Sequence, residues 1–409
     1  MGTGKSQSAI AYMNQHSDEK FIYITPYLEE AKRIKKGCPK LKFIEPSNKL
    51  EQYKFRKSLH TIALINEGRN ITTTHQAFKG YTPETLETIK EKEYTLIIDE
   101  NVDVLEVFDF HPNDLQMAVD AGYITENNGI YSVADKDYKG RALAEMFTLL
   151  KSRELVKVQD DNSNSLFYWA LPPNLLTSFK DVFILTYLFE AQSLHHFMNI
   201  YDIPYEYIGI KRTDNDTGFE FCEYPGYTPE YVTNIHNMIT ILDSGKVNQI
   251  GDDYYALSMN WFKKENSSPE QLKKNIDNCF NNIWRDIPAE KRLWGSYCGE
   301  FNKIKGKGYT KAFLTFNAKA TNEYRDRNHL AYIANLFMNV NEKKFYQLHG
   351  IEVDEDIFAL SIMVQWIWRS AIRDGEKIYI YIPSKRMRTI LSNWMDNISK
   401  GVDVIGKKL

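Results

Sequence analysis

"YTLIIDEN" (Tyr94–Asn101) is an apolar, β-prone run that stops on two acids and an amide. An unbroken apolar run is what a strand covered on both faces looks like, and such strands belong to parallel sheets flanked by helices. The same grammar continues on either side. "FIYIT" (Phe21–Thr25) is a short strand closed by Pro26, and "LEEAKRIKKGC" is a helix stopped at Gly37 and Pro39. "KFIEP" reads as a short strand, "NITTTHQAF" as strand into helix, and "DVFILTYLF" (Asp181–Phe189) as another buried strand. Strands separated by helical segments predict an α/β domain with crossover helices.

The first domain is expected over residues 1–190, with an insertion at about 110–175. There "GYITENNGIYSVADKDYKG" suggests short strands and "RALAEMFTLLKSRELV" a helix. A second α/β domain is expected over 191–409, with a mixed insertion at about 200–300. In it "GFEFCEYPGYTPEYV" reads as loop, and "SSPEQLKKNIDNCFNNIWRDI" as an amphipathic helix opened by a capping signal. The last hundred residues read as a strand in "KAFLTF", a helix through "HLAYIANLFM", a long helix in "DEDIFALSIMVQWIWRSAIRDG" and a strand in "KIYIYIPS".

The 409 residues suffice for two or three domains, and 43% hydrophobic content can build their cores. A net charge of −3 excludes a globally basic nucleic-acid binder, so any such groove must be local. Cys38, Cys222, Cys279 and Cys298 stand far apart without zinc spacing, which suits reduced thiols. No signal peptide and no membrane-length apolar run is visible, so a soluble protein of the bacterial cytoplasm, with no membrane partner, is expected.

The chemistry starts at the other end of the first domain. In "MGTGKSQSAI" (Met1–Ile10), Gly2, Thr3, Gly4, Lys5 and Ser6 form the second half of a phosphate-binding loop that opens a helix. In such a loop the amides and the helix N-terminus cradle phosphates, the Lys reaches the β/γ-phosphates and the hydroxyl holds Mg²⁺. The motif's first Gly and its feeding strand would lie before Met1, which is therefore expected to be an internal methionine or a truncated start. Asp99-Glu100 stands where a Mg²⁺-linked Asp and a water-orienting Glu belong in a phosphate-loop ATPase. Either feature alone is weak; together, within an alternating α/β run, they point to ATP chemistry.

Near the C-terminus, Gln365, Arg369 and Arg373 fall at i, i+4 and i+8, roughly one helix face. Such arginines can stabilise charge on a γ-phosphate; a solvated basic face is the plainer alternative. The turn in "KATNEYRDRNHLAY" holds Thr321, Asn322 and Arg325, and reads equally as a phosphate contact or a capped surface loop. Thr25, Pro26, Thr73, Thr74 and His75 follow strands, where hydroxyls and amides suit nucleic-acid backbone contacts. The basic run "NKIKGKGYTK" (Asn302–Lys311) could line a strand path, and His195-His196 lacks the partners of a metal pair.

In order, these segments resemble the motifs of a superfamily-two helicase. The wording "FIYITP", "THQAF", "ATNEYRDR" and "YIPSKRMR" is similar to DEAD/DEAH-type replication helicases of phages and prophages of Gram-positive hosts. The resemblance implies two RecA-like domains with ATP and Mg²⁺ between them and single-stranded or forked nucleic acid, DNA above all, across the top. It implies Lys5 and Ser6 on phosphate and Mg²⁺, Asp99 on Mg²⁺, and Glu100 on water. Gln365 with an arginine of the last helix would close the site, and replication proteins would be partners. The chain departs from the family at Val102, at Leu185-Thr186-Tyr187, and in arginines four rather than three apart. Two other readings stand beside an ATP-driven helicase: a catalytically impaired binding or loading protein that keeps the fold, and an ATPase with no nucleic-acid role.

Overall fold

The computed structural model describes residues 4–400, apart from 27, 55, 107–110, 128, 135–137, 160–164, 214–217, 225–234, 266–267 and 317–322. Gly2, Thr3, Thr321 and Asn322 thus lie outside the described residues.

Two compact units emerge. The first comprises Gly4–Glu223 and Val340–Val353; the second takes in Tyr224–Asn339 and Asp354–Leu409. Beyond Gly4 the chain passes between them three times, after Glu223, Asn339 and Val353. Residues 191–223, assigned to the second domain from sequence, therefore sit with the first.

The first unit is built on a four-stranded parallel sheet of β1 (Lys20–Ile24), β2 (Ile71–Thr73), β3 (Tyr94–Asp99) and a late strand, β9 (Asp181–Leu185). Its order is β2-β1-β3-β9. Alternation along β1 divides the core. Phe21 and Tyr23 join Ala9, Met13 and Ile97 on the face covered by α1 (Lys5–Gln15), near α2 (Leu28–Gly37). Ile22 and Ile24 join Leu96, Ile98 and Phe78 on the other. Between β3 and β9 the chain forms β4 (Leu105–Glu106), β5 (Ile124–Asn127), β6 (Ile130–Val133), β7 (Glu154–Gln159) and β8 (Ser165–Ala170). These make one antiparallel sheet in the order β4-β8-β7-β6-β5. The helix expected over "RALAEMFTLLKSRELV" is confined to Ala144–Leu150, because Glu154 onward pairs as β7.

Residues expected to be loop at "GFEFCEY" form β11 (Phe219–Glu223), the return strand of a hairpin with β10 (Ile208–Arg212). The hairpin is held by aromatic packing onto the parallel sheet. Phe221 stacks on Phe183 of β9 at 5.4 Å and lies 5.9 Å from Tyr12 of α1.

The second unit has its own parallel sheet, β12 (Ile239–Ile241), β13 (Arg292–Gly295), β14 (His329–Tyr332) and β15 (Ile378–Tyr381), in the order β12-β15-β14-β13. The start of "HLAYIANLFM" is the buried strand β14, not a helix. A continuous apolar run carries no period, and pairing with both β13 and β15 decides it. "KFIEP" and "KAFLTF" contribute only isolated bridges, Ile44 to Ile71 and Phe313 to Trp294.

The long terminal helix also ends early, spanning Glu355–Ile367. Ser370 is extended and its hydroxyl bonds back to the Ile367 carbonyl at 2.6 Å. Ala371 N–H then donates to the Arg327 carbonyl at 2.8 Å. Residues Ala371–Asp374 turn as a separate 3-10 segment, so Gln365, Arg369 and Arg373 do not share one helix face.

The expected fold class, α/β with two parallel sheets and mixed insertions, is what the structure contains. Among the described residues no helix is long and apolar enough to cross a membrane.

Candidate functional site

The first unit gathers its chemistry at the start of α1. Gly4 caps the helix in the left-handed region (φ 88°, ψ 11°), a conformation that suits glycine. Its carbonyl begins the helical ladder by accepting from Ser8 N–H at 2.8 Å. Lys5 and Ser6 fill the first turn, and that turn contains no acid to offset the positive end of the helix. Burial lowers the Lys5 pKa, while Asp99 and Glu100 at the end of β3 pull it back up. The start of α1 and the end of β3 therefore lie within electrostatic reach of each other.

Asp99 is the most perturbed carboxyl here, pushed up to about 7 by burial, then by Glu30 and Glu100, against the opposing pull of Lys5 and Arg33. Glu100 takes a left-handed turn (φ 67°), and its N–H bonds to the Leu185 carbonyl of β9 at 3.3 Å. Burial and neighbouring acids thus disfavour the charged carboxylate, with Lys5 and Arg33 opposing them.

Three side chains at this site were missed in the sequence. Tyr23 is fully buried, with its hydroxyl beside that of Ser6 and in the field of Asp99 and Glu30. Arg33 of α2 grips Glu30 through two bonds of 2.9 and 2.6 Å, and reaches Gln7 of α1 at 3.1 Å. The available signals were the two-residue alternation of "FIYIT", which puts Tyr23 on the α1 face, and the three-residue spacing of Glu30 and Arg33.

At the carboxyl ends of β1 and β2, Thr25 and Thr73 come together, with Thr25 N–H donating to the Thr73 carbonyl at 3.0 Å. Both are buried, Pro26 is half-buried, and Thr74 caps the next helix by accepting from Ala77 N–H at 3.3 Å. His75 Nε2–H donates to the carbonyl of Asp99 at 3.1 Å. Its pKa is lowered, mainly by burial, so the neutral ring makes this bond. His75 thus touches the backbone of the acid pair. After the pair, Asn101 reaches Ser193 Oγ at 3.4 Å, and Val102 is fully buried, so the position that departs from the family serves the core.

The hairpin touches the loop directly. A Cβ on Gly4 would meet the Phe219 ring of β11 at 2.5 Å. Arg212 lies 5.7 Å from the centre of the same ring on its far strand.

In the second unit, Gln365 is half-buried at the end of its helix, Arg369 has a buried Nε without a partner, and Arg373 is exposed. Arg325 forks onto Asp374, so it braces the turn carrying Arg373. The basic run at 302–311 is folded back on its own segment: Lys303 pairs with Glu300 at 2.7 Å, and Lys305 with Asn302 at 2.9 Å. His196 is buried with its pKa pushed down to about 4, first by burial and then by His195. Among the described residues no group of His, Cys, Asp and Glu forms a ready metal cluster.

Fold and site together define an α/β protein with two parallel sheets, the first presenting a Gly-Lys-Ser helix start to an Asp-Glu strand end. Residues 233–395 match the family described as the YonV C-terminal Rossmann-like domain. The chain is 38% identical to the SPbeta prophage-derived uncharacterized protein YonV of Bacillus subtilis (strain 168), over 97% of each chain. It belongs to the YonV family. A solved structure named XPD_APO aligns with 95% of this chain and 94% of its own length at 9% identity, with a TM-score of 0.36. A likeness of that size adds nothing to the reading of the site.

Proposed function

We propose that the chain is an ATP-driven helicase or translocase acting on single-stranded or forked nucleic acid, DNA in the first place, in prophage replication or recombination. The observation that carries this reading is that buried Lys5, at the N-terminus of α1, lies in the field of Asp99 and Glu100 at the end of β3, with the Ser6 hydroxyl beside that of Tyr23. The left-handed Gly4 and the acid-free first turn of α1 fit a Mg²⁺-nucleotide. Lys5 would hold phosphate charge, Ser6 and Asp99 would hold Mg²⁺, and Glu100 would orient a water. Bound ATP supplies the γ-phosphoryl group that passes to that water.

Gln365, Arg369 and Arg373 are the candidates for stabilising charge on the phosphoryl group, and single substitutions separate them. Thr25, Pro26, Thr73, Thr74, Thr321, Asn322 and Arg325 are candidates for backbone contacts. His75 would report the state of the acid pair to that strand edge through the Asp99 carbonyl. The test is ATP hydrolysis with and without single-stranded DNA. Lys5→Ala should abolish hydrolysis, and strand-stimulated turnover that survives it would sink the reading.

One observation favours the binding or loading protein instead: Phe219 packs on Gly4, so an aromatic ring occupies one side of the loop. Under that reading the intact chain binds nucleotide weakly, and Phe219→Ala strengthens binding without restoring turnover.

A further inference from the structure

A separate cluster lies in the second unit, on the side of its sheet where strands end. Tyr254 and Tyr255 come from the segment after β12, Phe337 from the segment after β14, and Arg386 from the helix after β15, Lys385–Ser399. Ligands of open parallel sheets bind outside the carboxyl ends of the strands. Tyr254 and Tyr255 are 53% and 59% exposed, an unusual degree for adjacent aromatic rings. Their centroids are 4.9 Å apart, and both rings lie within 6 Å of Phe337, at 5.9 and 5.5 Å.

The surface is held rigid from beneath. The Arg386 guanidinium lies 4.2 Å from the centre of the Phe337 ring and 5.6 Å from that of Tyr254. Arg386 is buried and donates to Asp356, Asn335, Leu336 and Glu355. Asn335 in turn donates to the carbonyls of Tyr254 at 2.7 Å and Ala256 at 3.0 Å. One buried cation therefore fixes all the segments that present the rings. A turn that merely exposed two tyrosines would not need this network.

We infer that Tyr254, Tyr255 and Phe337 form a stacking platform for unpaired bases of single-stranded nucleic acid. Bases stack on such rings without sequence preference, which suits a protein that moves along a strand. Phosphates would find Lys385, exposed in the first turn of the neighbouring helix. Of the nearby acids, Asp253 caps Tyr255 N–H at 2.9 Å and so helps to fix that ring's backbone.

The inference rests on the nucleic-acid part of the proposed function, and its test separates the two. Binding of fluorescent oligo-dT and oligo-rU to the full chain is measured by anisotropy without nucleotide. The variants are Tyr254→Ala/Tyr255→Ala and Tyr254→Phe/Tyr255→Phe. Loss of both rings should weaken binding by roughly tenfold or more, while the phenylalanine pair stays within about twofold of wild type. The melting temperature of the alanine pair should match wild type, since the rings it removes are exposed. Comparing the two oligonucleotides identifies the sugar. Wild-type binding that the alanine pair retains overturns the platform and leaves the translocase reading standing. Phenylalanine as weak as alanine overturns stacking, and no wild-type binding to either strand overturns both readings.

Discussion

Asp99→Asn keeps the size of the side chain at the end of β3 and removes its charge. In the folded protein the Asp99 carboxyl is pushed from an ordinary 3.8 to about 7, first by burial and then by Glu30 and Glu100. At 1.36 kcal/mol per pKa unit, that displacement is worth roughly 4 kcal/mol. The sign follows from which state holds the proton. The folded state binds it more tightly than the unfolded chain, so its stabilising effect is fully present below pH 3.8. It is lost as pH rises towards 7, and above that the charged carboxylate stands against the fold at full cost. Wild type and Asp99→Asn should be about equally stable near pH 4. The variant should gain steadily from pH 5 and lead by up to roughly 4 kcal/mol at pH 8. Urea unfolding across this range, without divalent cations, reads the difference directly. Mg²⁺ with nucleotide should narrow the gap at pH 8 by favouring the carboxylate in wild type alone. Parallel pH profiles for the two proteins would refute the reasoning.

Gly4→Ala should cost about 1–2 kcal/mol for its left-handed backbone, plus the clash with Phe219. Adding Phe219→Ala should remove the clash and leave the backbone cost, so a double-mutant cycle in urea should show coupling. Arg386→Ala should lower unfolding stability by about 1–3 kcal/mol, because it leaves the buried Asn335 and Leu336 oxygens unpaired, while the exposed Asp356 turns to water. Gly251→Ala should destabilise the second unit, since its Cβ would run into the Pro383 carbonyl, and a lowered melting temperature checks it.

Sequence reading reached the features that local chemistry dictates. "YTLIIDEN" is a covered strand wherever it sits, and the α/β pattern puts Asp99-Glu100 at its end within the electrostatic reach of Lys5. It failed where distant partners decide. His329–Tyr332 is apolar enough for helix or strand, and only β13 and β15 settle it. The break before Arg373 is tied by Ala371 to the Arg327 carbonyl, which helical spacing does not register. The alternation of Phe219 and Phe221 with polar neighbours in "GFEFCEY" is a strand signal that the loop reading passes over; its inner residue, Phe221, finds Phe183. The aromatic platform was invisible because its parts come from three segments joined through Arg386.

The return of Val340–Val353 to the first unit bears on how the protein is made. In that stretch Phe345 packs against Tyr168 at 5.1 Å and Tyr346 against His196 at 4.8 Å. The ribosome delivers those residues only after it has delivered β12, β13 and β14 of the other unit. The first unit therefore waits, with the surfaces around Tyr168 and His196 uncovered, while a stretch belonging to the second is synthesised. Its completion is an event of late translation, and a chaperone that shields apolar surface on the nascent chain would have its longest opportunity in that interval.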